Sequence, residues 1–214
     1  MIQLQGIYFQ ALGKIYKRPF SPNRTIEKIL FKLKFMRILR ALFSLLIVGF
    51  MMSGCNSGKS WHTASRQSAG IAPDPSVTKE AVLHVYGADT WGWRGWFAIH
   101  TWIAAKRTGD SNYTVYDVVG WRGYSGQPVM RIREDIPDRY WFGEKPMLIK
   151  EHRGAEVDEL IDAVEKAVEV YPWKTKYKVF PGPNSNTFTA WVAKHVPELE
   201  LSLPFSAFGS GYVN

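Results

Sequence analysis

Apolar positions change their spacing twice along this chain. An uninterrupted apolar run covers Ala41 to Met52, short apolar runs broken by Gly, Asp and Pro follow from about residue 80, and helical spacing takes over beyond residue 155. The short runs are rich in Val, Ile, Tyr and Trp, which predicts strands over Ala81 to Tyr86, Trp96 to Ile103, Tyr113 to Trp121, Val129 to Glu134 and Met147 to Lys150. A helix is predicted from Ala155 to Val170, where Val157, Leu160, Ile161, Val164 and Val168 form one stripe. Its early acids Glu156, Asp158 and Glu159 suit the positive end of the helix dipole, and Tyr171-Pro172 ends it. Lys176 to Phe180 reads as a further strand, and Phe188, Trp191, Val192, His195 and Val196 as a second amphipathic helix. Pro204, Gly209 and Gly211 keep the tail irregular. The expected class is α+β, a small antiparallel sheet with two main helices.

The opening 35 residues carry scattered Lys and Arg with no sustained period, as a leader would. Arg37 and Arg40 precede the apolar run, and small residues close it, which is the grammar of an export signal. Ala41 to Gly54 is uncharged but falls short of the roughly 20 residues that cross a bilayer. Met52-Ser53-Gly54-Cys55 resembles the bacterial lipobox. That resemblance implies diacylglycerol on Cys55, which becomes the new N-terminus. Residues 1–54 are then leader and signal, with Met36 an alternative start. Residues 55–78, with Ser57, Gly58, Ser60, Ser65, Ser68, Gly70, Pro73 and Pro75, are expected to form a flexible tether, and residues 79–214 a single exported domain. The expected location is the cell envelope, facing the periplasm or exterior. Asn56 after the cysteine favours the outer membrane where there are two.

Charge changes the list of partners. A pI near 9.5 suggests nucleic acid at first sight. Yet nine basic residues and one acid, Glu27, precede Cys55, leaving 18 Lys and Arg against 18 Asp and Glu from there on. A domain without net charge offers no general field to a phosphate backbone, so nucleic acid is not expected. The expected partners are a membrane, through the anchor, and an envelope ligand. Acylation of Cys55, the sole cysteine, excludes disulfides, zinc thiolates and a thiol nucleophile. His84, His152, His195 and Asp89 show no metal spacing, and no motif asks for a cofactor.

Candidate chemistry centres on Pro181-Gly182-Pro183-Asn184-Ser185-Asn186-Thr187-Phe188. Asn184-Ser185 followed by Phe188 at a helix start resembles the lecithin-retinol-acyltransferase-like and permuted NlpC-type branches of the papain-like superfamily, where the middle residue is cysteine. Those proteins carry their histidine on an earlier strand, and Phe97-Ala98-Ile99-His100-Thr101-Trp102-Ile103 supplies one in that order. The resemblance implies a circularly permuted papain-like fold, with Ser185 as nucleophile and His100 as base. Asp117 or Tyr116 would orient the imidazole, and strand alternation lets only one of them face it. The plainer alternative makes Pro-Asn-Ser-Asn a turn with a helix cap and His100 a core histidine.

Tryptophans offer a second candidate. Trp91, Trp93, Trp96 and Trp102 crowd one region, with Trp121 and Trp141 beyond, and flat indoles with one donor stack on ligands or line cores. Arg94 and Arg122 sit beside two of them and can clamp an anion, with Asn184 and Asn186 as further ligand contacts. Arg131 and Arg133 flank Ile132 as on a half-exposed strand and need no function. Trp93-Arg94-Gly95-Trp96, His100-Thr101-Trp102, Gly120-Trp121-Arg122-Gly123 and the Pro181 to Phe188 run together resemble a bacterial domain-of-unknown-function family, DUF3750, which implies an exported domain of the same kind and says nothing about activity. Two functions follow. The preferred one is a ligand- or partner-binding protein without catalysis; the other is a serine-dependent hydrolase or acyltransferase acting on a peptidoglycan peptide or a lipid.

Overall fold

The computed structural model describes residues 24–53 and 60–213; Gly54 and Cys55, which complete the run that resembles a lipobox, lie outside them. The chain divides after Asn56 into two units. In the first, helix α1 spans Arg24–Ser53, so residues 24–35 are helical where no period was expected. No Gly or Pro interrupts the chain from Arg24 to Val48, and straight-chain Leu, Lys and Arg sustain a helix without an amphipathic stripe. Large apolar side chains such as Phe31 and Leu46 are exposed along it. Among the described residues, no helix is long and apolar enough to cross a membrane.

The second unit is built on five strands: β1 (Val82–Asp89), β2 (Ile99–Lys106), β3 (Thr114–Val118), β4 (Met130–Glu134) and β5 (Met147–Arg153). Every neighbouring pair is antiparallel, in the order β4-β3-β2-β1-β5. Two helices, α2 (Val157–Glu169) and α3 (Ser185–His195), cover one face. There Leu83 and Val85 of β1, Ile103 of β2 and Tyr116 of β3 meet Ile161 and Val164 of α2 and Phe188 and Val192 of α3. Tyr86, Trp102, Val115 and Trp141 form a second core on the opposite face. Both faces are therefore covered, which explains why β1 and β2 are buried at nearly every position instead of at alternate ones.

Part of that second cover comes from residues expected to be a tether. The buried Asp138 carboxylate accepts hydrogen bonds from Ser68 Oγ (2.8 Å) and from the backbone N–H groups of Ile71 (2.5 Å) and Ala72 (3.1 Å). Tyr113 donates its hydroxyl to Pro73 O at 3.0 Å, and Ile71 and Ala72 pack against the core. Residues 60–78 are thus folded onto the domain. Their Ser and Gly content reads as flexibility, but the same small residues free backbone donors for one carboxylate.

Lys176 to Phe180 is not a strand either. Lys178 N–H bonds to Pro183 O (2.8 Å) and Val179 O accepts from the Asn184 amide (2.9 Å), so this run forms a loop wrapped on the start of α3. The strands expected through Trp96 and Trp121 give way to 3-10 turns, Gly92–Trp96 and Gly120–Ser125.

Candidate functional site

Helix α3 starts at a fully engaged asparagine. Asn184 Oδ1 accepts from the N–H groups of Asn186 (3.0 Å) and Thr187 (3.1 Å), Thr187 Oγ1 accepts from Asn184 N–H, and Asn184 Nδ2 donates to Val179 O and Phe208 O. Gly209 makes room for this amide: it lies at φ +97, and a Cβ there would collide with the Asn184 side chain. Asn186 ties α3 to β2 and the tail, donating to Ile99 O and Phe208 O and accepting from Thr101 Oγ1, each at 2.9 Å. Both asparagines, expected to touch ligand, hold the fold through their side-chain amides and line one cleft with Ser185. The cap is Asn184 and not Ser185. The Ser185 hydroxyl makes no hydrogen bond among the described residues, while its carbonyl accepts from Thr189 Oγ1 at 3.2 Å.

His100 is the second residue of β2, and alternation sends its ring to the face opposite Thr101 and α3. It stacks on Trp141 with centroids 3.6 Å apart and planes 8° from parallel. Its Nε2 lies 2.9 Å from Asp117 Oδ1. Asp117 Oδ2 in turn accepts from Arg131 (2.8 Å) and Arg139 (3.0 Å). Tyr116, the alternative partner, points to the helix face and donates to Glu165 Oε1 at 2.7 Å, so it does not orient His100.

Burial alone would raise the Asp117 carboxyl, but His100, Arg139 and Arg131 outweigh it and hold the group well below the ordinary carboxylate range. His100 is pushed below its ordinary value by burial, which the Asp117 charge only partly opposes. A neutral imidazole beside an anion that can only accept must carry its proton on Nε2. Nδ1 then keeps its lone pair, and among the described residues nothing hydrogen-bonds to it.

The β2–β3 ladder pairs only Ile103 with Tyr116, Ala104 with Val115 and Ala105 with Thr114. Ahead of Ile103 on β2 and beyond Tyr116 on β3 the two strands no longer pair, and a cleft of about 750 Å³ opens there, lined by Ile99 and His100 on one side and Val118 to Trp121 on the other. Ser185 lines the same cleft, but no hydrogen bond joins it to His100 among the described residues. Thr90 Oγ1, in the same wall, is buried without a partner among them too.

The walls are aromatic. Trp91, Trp93 and Arg94 enter from the first 3-10 turn, and Trp121 from the second. Gly120 lets the Tyr177 ring lie against the backbone beside Trp121, where a Cβ would meet the ring. Other expected ligand contacts fall elsewhere. Trp102 is fully buried and donates Nε1–H to Pro137 O at 2.8 Å, Trp96 does not line the cleft, and Arg122 turns to Pro128 O at 2.8 Å.

Residues 80–212, which hold the sheet, both helices and most of this cleft, match the family model described as protein of unknown function (DUF3750). The chain belongs to this family. No curated protein and no solved structure matches it. Within the DUF3750 region, sequence reasoning missed the bed of Asp117. Arg131 lies directly opposite Asp117 in the β3–β4 register, so a correct register would have revealed it. Arg139, Phe142 and Tyr177 arrive from loops and carry no comparable signal. Among the described residues, no group of three or more His, Cys, Asp or Glu could hold a metal ion.

Proposed function

We propose that this is a cell-envelope lipoprotein, anchored through Cys55, whose exported domain captures a ligand in the aromatic cleft without transforming it. The observation that carries the reading is the lining: aromatic walls, one permanent charge at Arg94, and three residues, His100, Ser185 and Thr90, with side-chain polar atoms that have no hydrogen-bond partner among the described residues. Apolar walls with a few convergent polar atoms are what ligand sites generally present. The cap argues against catalysis. Asn184 takes the Asn186 and Thr187 N–H groups, two of the donors that would hold an oxyanion at the end of α3. Titrating the protein with peptidoglycan fragments and with phospholipid micelles, followed by tryptophan fluorescence, tests the capture. Trp93→Ala and Arg94→Ala are each expected to weaken binding about tenfold, a loss of 1.4 kcal/mol; unchanged affinities would refute it. The anchor is tested by Cys55→Ser, which should leave an unprocessed, unacylated precursor.

One observation favours the second reading, an amide or ester hydrolase or acyltransferase of permuted papain-like kind. Asp117 holds His100 at Nε2, Nδ1 has no hydrogen-bond partner among the described residues, and Ser185 lines the same cleft, so the parts of a serine mechanism share one cavity. In that reading the Ser185 hydroxyl attacks the carbonyl, Nδ1 takes its proton while Asp117 stabilises the imidazolium, the C–N or C–O bond then breaks as the imidazolium protonates the departing amine or alcohol, and water or an acceptor hydroxyl takes the acyl group from Ser185. A fluorophosphonate probe decides: labelling lost in both Ser185→Ala and His100→Ala supports the serine mechanism, and absence of labelling in the parent protein ends it.

A further inference from the structure

We propose that the rim of the cleft rests on the surface of an anionic phospholipid bilayer, so that the cleft opens towards lipid; this rests on the anchor reading above. Rings run along the rim in contact, from Trp93 to Phe97 (5.6 Å), to Phe208 (6.0 Å), to Phe205 (5.6 Å). Phe205 is 92% exposed, and Tyr124, also at the cleft, is 94% exposed. A contiguous aromatic surface of this kind is costly against water and suits the headgroup region, where indole and phenol rings keep one polar atom wet.

Two further observations choose the bilayer as the partner. Arg94 is the only permanently charged residue among the described residues lining the cleft, and no carboxylate joins it, which matches anionic headgroups. Chain length is the second. Trp61 lines the cleft, and the six residue steps from Cys55 to Trp61 reach at most about 22 Å even when fully extended. An acyl group on Cys55 therefore keeps this part of the domain within that distance of the headgroups, whatever conformation the connection takes.

The test is spin labelling of the acylated full chain in phosphatidylglycerol–phosphatidylethanolamine vesicles. With Cys55 acylated, an introduced cysteine is the only free thiol. Labels at Phe205→Cys and, as a second rim position, Tyr124→Cys are expected to collide more with oxygen than with a water-borne nickel chelate. A label at Val170→Cys, exposed and outside the cleft, should show the reverse. Equal nickel access at all three positions overturns the proposal and leaves the anchor standing. Dipolar broadening at the rim labels identifies a second copy of this chain as the occupant and overturns it also. Mass spectrometry showing an unacylated Cys55 overturns both anchor and proposal.

Discussion

At the scale of residues, the site depends on one buried carboxylate serving three partners. Asp117 neutralises Arg131 and Arg139 and fixes the His100 ring. Asp117→Asn leaves the buried Arg139 short of its partner and is expected to cost about 3–5 kcal/mol in urea unfolding. The pH response follows from the two shifts. His100 binds its proton less readily folded than unfolded, so stability falls as pH drops through about 6.5 towards the lower folded value. Asp117 adds stability above about pH 3.9 that is lost as pH falls further towards its depressed folded value. His100→Gln should reduce the slope between pH 7 and 5, leaving the share of buried His84, whose pKa burial also lowers; a parent protein equally stable across that range would contradict the burial of neutral imidazoles. Only half of this constellation was legible in sequence. Alternation made Asp117 and Tyr116 exclusive alternatives, but choosing between them needed the register, and Arg131 read as surface because its partner was unknown.

At the scale of elements, the start of α3 separates two serine and asparagine roles that look interchangeable in Pro-Asn-Ser-Asn. Asn184→Ala removes the cap and strands the Val179 and Phe208 carbonyls, with an expected cost of about 2 kcal/mol. Ser185→Ala removes a hydroxyl without hydrogen bonds among the described residues and should stay within about 0.5 kcal/mol of the parent. Thermal unfolding of the two variants checks both, and an equal loss would return Ser185 to a structural role. Periodicity found both helices because their apolar stripes face a sheet: Val157, Ile161, Val164 and Val168 are all buried. The five strands were legible from their runs of β-forming residues, since β1 and β2 are buried on both faces and show no alternation. Sequence pattern failed at Lys176 to Phe180, where β-forming residues have no neighbouring strand to pair with, and at residues 60–78, where long-range bonds to Asp138 are invisible to composition.

At the scale of the whole molecule, the fold places a histidine and a serine at the mouth of a sheet whose strands part, then surrounds them with rings. Trp121, Trp141 and Phe142 stand within 6 Å of one another, centroid to centroid; Trp141 and Phe142 are buried, while Trp121, Trp93 and Phe97 are exposed. This lining, aromatic rings with a few unpartnered polar atoms among them, is the feature that the ligand-capture account depends on. The most direct measurement is a titration of the full chain with 8-anilinonaphthalene-1-sulfonate, an aromatic anion, read by energy transfer from tryptophan. Saturable binding that weakens about tenfold in both Arg94→Ala and Trp121→Ala, 1.4 kcal/mol each, is the expected result. Binding with the same affinity in the parent and both variants would contradict it, because neither the cation nor the wall of the cleft would then be holding the probe.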